Sequence, residues 1–160
     1  MLIGAILSLV LLIRRVSSPH VAFLSRIPGA RRYSDLKRHP DNEPTPGVLA
    51  FRVESSIVYF NAEHVFDTVL SRVDATREPI RLVICDLSTS PNIDMAGARM
   101  FLTLHGELAK RGIVFSLVEA RSGVRDMLRV EGVEKKIGPI DRFTALADAI
   151  EDFQGGASPR

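Results

Sequence analysis

Two carboxylates and a run of hydroxyls crowd the stretch Asp86-Leu87-Ser88-Thr89-Ser90-Pro91-Asn92-Ile93-Asp94-Met95-Ala96-Gly97. Asp86 and Asp94 have the chemistry of a general acid and base, and Ser88, Thr89 and Ser90 that of phosphate acceptors, where a phosphoryl group would add about two negative charges. Their positions argue for plainer work. Asp86 ends an apolar run, and Asp94 stands just before a helical pattern, where its carboxylate can accept free amides and meet the positive end of the helix dipole. Both jobs are common for aspartate without catalysis. Ser88 through Asn92 are turn formers, so the hydroxyls are expected in an exposed loop at a strand's carboxyl end, where ligands and partners of open α/β sheets dock. The candidate interaction or ligand loop is therefore Asp86, Ser88, Thr89, Asn92, Asp94, Met95, Ala96 and Gly97, with a nucleotide or other anion as a possible guest of the helix start. Ser88, Thr89 and Ser90 are the candidate phosphorylation positions.

Other chemical signals are missing. The chain has no glycine-rich phosphate loop, no histidine pair at metal spacing and no Gly-x-Ser-x-Gly elbow, so no catalytic residue, cofactor or metal is assigned. His105 falls by angle on an apolar helix face, where a structural histidine is the usual reading. The one cysteine, Cys85, sits in an apolar run, which excludes an internal disulfide framework and fits a reducing compartment.

The elements that must position this loop follow from periodicity. Leu82-Val83-Ile84-Cys85 is a continuous apolar run, as expected of a strand covered on both faces. Val48–Val53 and Ile57–Phe60 read as two strands of a hairpin around Glu54, Ser55 and Ser56. Ala62, Val65, Phe66, Val69, Leu70 and Val73 form an amphipathic helical stripe, and a second helix runs from Asp94 to the stop signal Arg111-Gly112. Ile113–Val118 is another strand, followed by a short helix closed at Gly132. Lys135–Ile140 allows a last strand, and Asp141 is placed to cap a final helix. A mixed sheet of four to five strands with about four helices results, an α/β fold.

Charge is unevenly spread. Of 160 residues, 21 are Lys or Arg and 19 Asp or Glu, a net charge of +2 that signals no nucleic-acid surface. Ahead of Gly47, however, seven basic residues face three acidic ones. Met1–Ile13 is apolar apart from Ser8 and is followed by Arg14 and Arg15. Thirteen residues of helix reach about two-thirds of the way across a ~30 Å hydrocarbon core, so the run reads as the end of a transmembrane helix, an interfacial anchor or a buried helix. The arginines behind it favour a cytoplasmic exit, and the charge order is wrong for a secretory signal. The expected divisions are an apolar helix at 1–15, a Pro-rich basic linker at 16–46, a globular domain at 47–154 and a flexible tail at 155–160.

Asp86-Leu87-Ser88 closing the central strand and Ile93-Asp94-Met95-Ala96-Gly97 opening the next helix resemble a STAS domain, the module shared by sulfate transporters and anti-sigma-factor antagonists. Arg14-Arg15 after an apolar helix, Pro19-His20-Val21-Ala22, Arg26-Ile27-Pro28-Gly29, Tyr33, Pro46-Gly47-Val48-Leu49 and Tyr59-Phe60-Asn61-Ala62 resemble the junction of bacterial SulP-type anion transporters, where the last transmembrane helix passes into a cytoplasmic STAS domain. The resemblance implies a STAS-like (anti-sigma-factor-antagonist-like) sheet and a non-catalytic regulatory domain on the cytoplasmic face of the inner membrane, belonging to a truncated or split transporter. Its implied partners are a transporter membrane domain or another cytoplasmic protein, and the membrane itself through the first helix and the membrane-proximal Arg14 and Arg15. In the sigma-factor antagonists the helix start carries Asp-Ser-Ser-Gly with a phosphorylated serine. Met95 and Ala96 have no hydroxyl, so that switch cannot operate at this site, and a free cytoplasmic signalling module is the lesser alternative.

Overall fold

The computed structural model describes residues 2–156. The elements run α1 (Leu2–Ser17), β1 (Val21–Arg26), β2 (Tyr33–Asp35), β3 (Val48–Val53), α2 (Tyr59–Ala75), β4 (Leu82–Asp86), α3 (Met95–Lys110), β5 (Val114–Val118), α4 (Ser122–Val130), α5 (Val133–Ile137) and α6 (Leu146–Gln154). The five strands form one mixed sheet in the order β2-β1-β3-β4-β5. β3, β4 and β5 are parallel, whereas β1 runs antiparallel to both β2 and β3.

β3 holds the middle of the sheet, and β4, expected as the central strand, lies one place off it between β3 and the edge strand β5, with all five of its residues buried. Val83 and Cys85 enter the larger core against α2, α3, α4 and α5, with Phe51, Val65, Val69, Phe101, Leu104 and Phe115. Leu82 and Ile84 point the other way, into a smaller core with Ala22, Leu24, Ala50, Val118 and three residues of α6, Leu146, Ala149 and Ile150. Side chains alternate across the sheet, so an unbroken apolar run requires cover on both sides, and the two cores supply it.

Four sequence expectations are corrected. The stretch 16–46 is more than a linker: Val21–Arg26 and Tyr33–Asp35 are sheet strands, and Ala22 and Leu24 are core residues. A six-residue strand between prolines offers too short a pattern to stand out. The expected hairpin is absent, because β3 pairs with β1 on one side and β4 on the other, while Tyr59 and Phe60 open α2. Lys135–Ile140 adds no strand. Glu134 accepts hydrogen bonds from Arg129 Nε at 2.8 Å and from the Ile140 amide at 3.2 Å, which folds the segment back on α4 as α5. Asp141 caps a turn rather than α6, accepting from the Phe143 and Thr144 amides at 2.8 Å each, and α6 begins at Leu146. There are thus six helices among the described residues where about four were expected.

α1 has 16 residues, roughly 24 Å at 1.5 Å per residue, and none of the described helices is long and apolar enough to cross a membrane. Its apolar side chains lie in the open, from Ile3 at 83 % exposure to Val10 at 47 %. It meets the rest of the domain at α2. Arg14 and Arg15 fall on this helix, and their side chains lie outside the described residues.

Candidate functional site: the junction of two helix starts

Beyond β4 the chain turns and comes back past the end of β3. Ile93 forms an isolated parallel bridge with Ile57: the Ile57 amide donates to the Asn92 carbonyl at 3.0 Å, and the Asp94 amide donates to the Ile57 carbonyl at 3.2 Å. This bridge sets the entry to α2 beside the entry to α3. Asp94 serves both helices. Its Oδ1 accepts from the Gly97 amide and its Oδ2 from the Tyr59 amide, each at 2.8 Å. One carboxylate satisfies donors at two helix starts and faces the positive ends of two dipoles. The same charge occupies the place an anionic guest of α3 would take, so the geometry disfavours a nucleotide phosphate there.

Gly97 is fixed by the closeness of this packing. A Cβ there would lie 2.5 Å from the Ile57 carbonyl oxygen and 2.9 Å from Ile93 Cγ1. No side chain fits between α3 and the bridge.

Asp86 is 2 % exposed, and both its oxygens are engaged. Oδ2 accepts from Arg52 Nε at 3.0 Å and Nη2 at 2.5 Å, and Oδ1 accepts from the Ser88 amide at 2.8 Å. Arg52 is its register partner on β3, so this forked ion pair ties two parallel strands at their carboxyl ends. Asp86 and Asp94 therefore act on different partners, each as a structural acceptor. The hydroxyls are also employed: Thr89 Oγ1 and Ser90 Oγ donate to the Val53 carbonyl at 2.9 and 3.1 Å. Thr89 and Asn92 are exposed and Ser88 half-buried, but Ser90 is fully buried, against the expectation that all three hydroxyls lie open. Its hydroxyl shares the Val53 carbonyl with Thr89, so the buried group has a hydrogen-bond partner.

What the junction shows to solvent is apolar. Met95 is 51 % exposed, Tyr59 74 % and Phe60 66 %, and the Tyr59 and Phe60 rings meet edge to face at 5.7 Å between centroids. Ala96 is half-buried beside them. Sequence reasoning found Met95 but missed the two aromatics, whose β propensity suited a strand. The sequence suggests Asn61 as the stop of that strand and the cap of the helix after it, but it lies inside α2, where its Oδ1 accepts from the Val58 amide at 2.9 Å and its Nδ2 donates to the Ser56 carbonyl at 3.0 Å. An asparagine at the third helical position can reach back to the cap, which moves the helix start to Tyr59.

Elsewhere, burial raises the Cys85 thiol well above its ordinary pKa, which keeps it an inert packing group. His105 is half-buried on α3, and its Nδ1 has no partner among the described residues. No group of three or more His, Cys, Asp or Glu suited to a metal ion occurs among the described residues.

A mixed sheet with helices on both faces, carrying a turn and two helix starts beyond the carboxyl end of β4, makes a small α/β module. The family model for the STAS domain matches residues 39–149, and the chain belongs to that family. β1 and β2 both precede the matched residues and complete the same sheet.

The chain is similar in sequence to part of several sulfate transporters. The chain is 28 % identical over 148 residues to a probable sulfate transporter of Mycobacterium tuberculosis, covering 92 % of this chain and 26 % of the relative. It is 26 % identical over 161 residues to high affinity sulfate transporter 2 of Stylosanthes hamata, covering 96 % and 24 %. The chain thus spans about a quarter of the length of these curated relatives. Among solved structures, the murine Solute Carrier 26 family member A9 anion transporter shares the fold at a TM-score of 0.81 and 18 % identity, over 96 % of this chain and 25 % of that one. The STAS domain of a SulP transporter from Vibrio cholerae does so at 0.60 and 19 %, over 76 % and 94 %. The anti-sigma factor antagonist SpoIIAA in its unphosphorylated form does so at 0.58 and 14 %, over 71 % and 94 %.

Proposed function

We propose that this STAS domain is a non-catalytic regulatory and interaction domain of a SulP-type anion transporter, standing on the cytoplasmic side and docking against a membrane domain. The observation that carries the reading is the apolar surface of Tyr59, Phe60 and Met95 at the doubly capped junction. Exposed aromatics and methionine on rigid helix starts are the composition of a binding surface. The transporter names of its sequence relatives supply the partner class. The exposed apolar flank of α1 supports placement at a membrane face. Regulation would be a two-state contact, engaged or released, biased by whatever binds one state better.

A partner-switching module of the anti-sigma-factor-antagonist kind is the second reading, favoured by the shared fold. Met95 and Ala96 weigh against it, because neither can be phosphorylated, and Ser90 is buried. Photo-cross-linking in cells distinguishes the two. A photoreactive residue at position 60 or 95 should yield an adduct with a polytopic membrane protein, identified by mass spectrometry, that is absent when the residue is placed at exposed Val130. Adducts only with a soluble kinase-like protein would support the second reading and overturn the first.

A further inference from the structure

A cleft of about 710 Å³ opens between β1, the turn after β2 and the outer face of α2, away from the Asp94 junction. Its titratable lining is basic in excess: His20, Lys37, His64 and Arg72 against the single acid Asp35. Asp35 is already committed. Its Oδ2 meets His20 Nε2 at 2.8 Å, and its Oδ1 accepts from the Lys37 amide at 2.9 Å. Lys37 and His64 have no hydrogen-bonding or ion-pair partner for their side chains among the described residues, and Arg72 lies over the Phe23 ring at 5.2 Å with no carboxylate in reach. A planar fork, a point charge and an imidazole drawn from two separate elements therefore line one recess without an internal counter-ion.

We propose that this cleft binds a phosphate group carried by an organic molecule. The guanidinium offers paired donors to an oxyanion, the ammonium adds a charge, and His64 contributes a donor. The volume lies in the range of small-molecule pockets and exceeds what a bare ion would fill. Its apolar wall of Phe23, Val21 and Leu36 suits the organic remainder. Ser18 and Pro19, which follow α1 directly, are part of the lining, so the cleft lies beside the end of the apolar helix. A phosphodiester of a lipid headgroup and a soluble phosphomonoester present the same chemistry to these donors.

The test compares the full chain with Lys37→Gln, Arg72→Gln and the double variant, in neutral detergent and on vesicles. Glycerol phosphate is titrated by calorimetry in the first setting. In the second, binding to vesicles of equal parts phosphatidylcholine and phosphatidylglycerol is compared with binding to pure phosphatidylcholine. Each substitution should weaken the phosphate-dependent part about tenfold, the loss of one charge-assisted contact, and Lys37→Arg should retain it. An effect on glycerol phosphate assigns a soluble ligand, and an effect confined to the anionic vesicles assigns a headgroup. Unchanged binding in both settings, with melting temperatures equal to wild type, overturns the proposal. Since both positions are exposed, a variant that melts early is replaced by Lys37→Gln alone, which touches no packed element.

Discussion

Gly97→Ala tests whether the close approach of α3 to the Ile57–Ile93 bridge holds the junction together. In an exposed helix interior the change should stabilise by about 1 kcal/mol, the propensity difference between the two residues. Here the new Cβ would stand 2.5 Å from the Ile57 carbonyl oxygen, 2.9 Å from Ile93 Cγ1 and 3.0 Å from Ile57 Cγ2. The oxygen is backbone and accepts the Asp94 amide, so it cannot swing aside as a flexible side chain would. Relief requires α3 to withdraw, which stretches the shared Asp94 cap and loosens the contacts of two buried isoleucines. Overpacking of this kind costs about 1–3 kcal/mol and a weakened cap about 1 kcal/mol more, so after the propensity gain the net loss is about 1–3 kcal/mol. For a domain of this size that lowers Tm by about 3–10 °C. Thermal unfolding followed by far-ultraviolet circular dichroism reads the shift. Gly106→Ala is the internal control, because it lies on the same helix with nothing within 4 Å of its Cβ and should match or exceed wild type. A Gly97→Ala midpoint equal to or above wild type would refute the reasoning.

Asp94→Ala removes the acceptor of two helix-start amides and should cost about 1–3 kcal/mol in urea unfolding, while Asp94→Asn, with one acceptor oxygen, should lose less. If alanine and asparagine cost the same, one of the two caps contributes nothing. The Asp35 carboxyl sits below its ordinary value of 3.8, because the upward push of burial is outweighed by hydrogen bonds from His20 and the Lys37 amide and by the charge of Arg38. A depressed carboxylate stabilises fully above the ordinary value and progressively less as pH falls through the depressed one, so the stability profile should slope downward below about pH 4. Asp35→Asn should flatten that acid limb, and an unaltered slope would assign the effect elsewhere.

Legibility tracked how local each signal is. The β4 run announced its two-sided burial because four consecutive apolar residues admit few other readings, and Asp94 announced the cap of α3 because the helical pattern begins beside it. Its second duty, to the Tyr59 amide, depends on the Ile57–Ile93 bridge between segments distant in the chain, and no local pattern carries that. Tyr59 and Phe60 misled for a related reason: their β propensity is outvoted by a cap supplied partly from another helix. β1 hid in a proline-bearing basic stretch, since Ala22 and Leu24 become core residues only once α6 arrives from the far end of the chain. Ser90 looked like a loop hydroxyl, and its burial is tolerated because the Val53 carbonyl, on a segment distant in the chain, accepts its hydrogen bond.

The measurement closest to the central claim is sedimentation through an alkaline carbonate wash of cell membranes carrying the full chain, compared with a chain lacking residues 1–15. The account predicts that the full chain stays with the membranes and that the shortened chain is released, because on the proposed reading the exposed apolar side chains of α1 are what would hold the domain at a membrane face. Release of the full chain into the supernatant would contradict it.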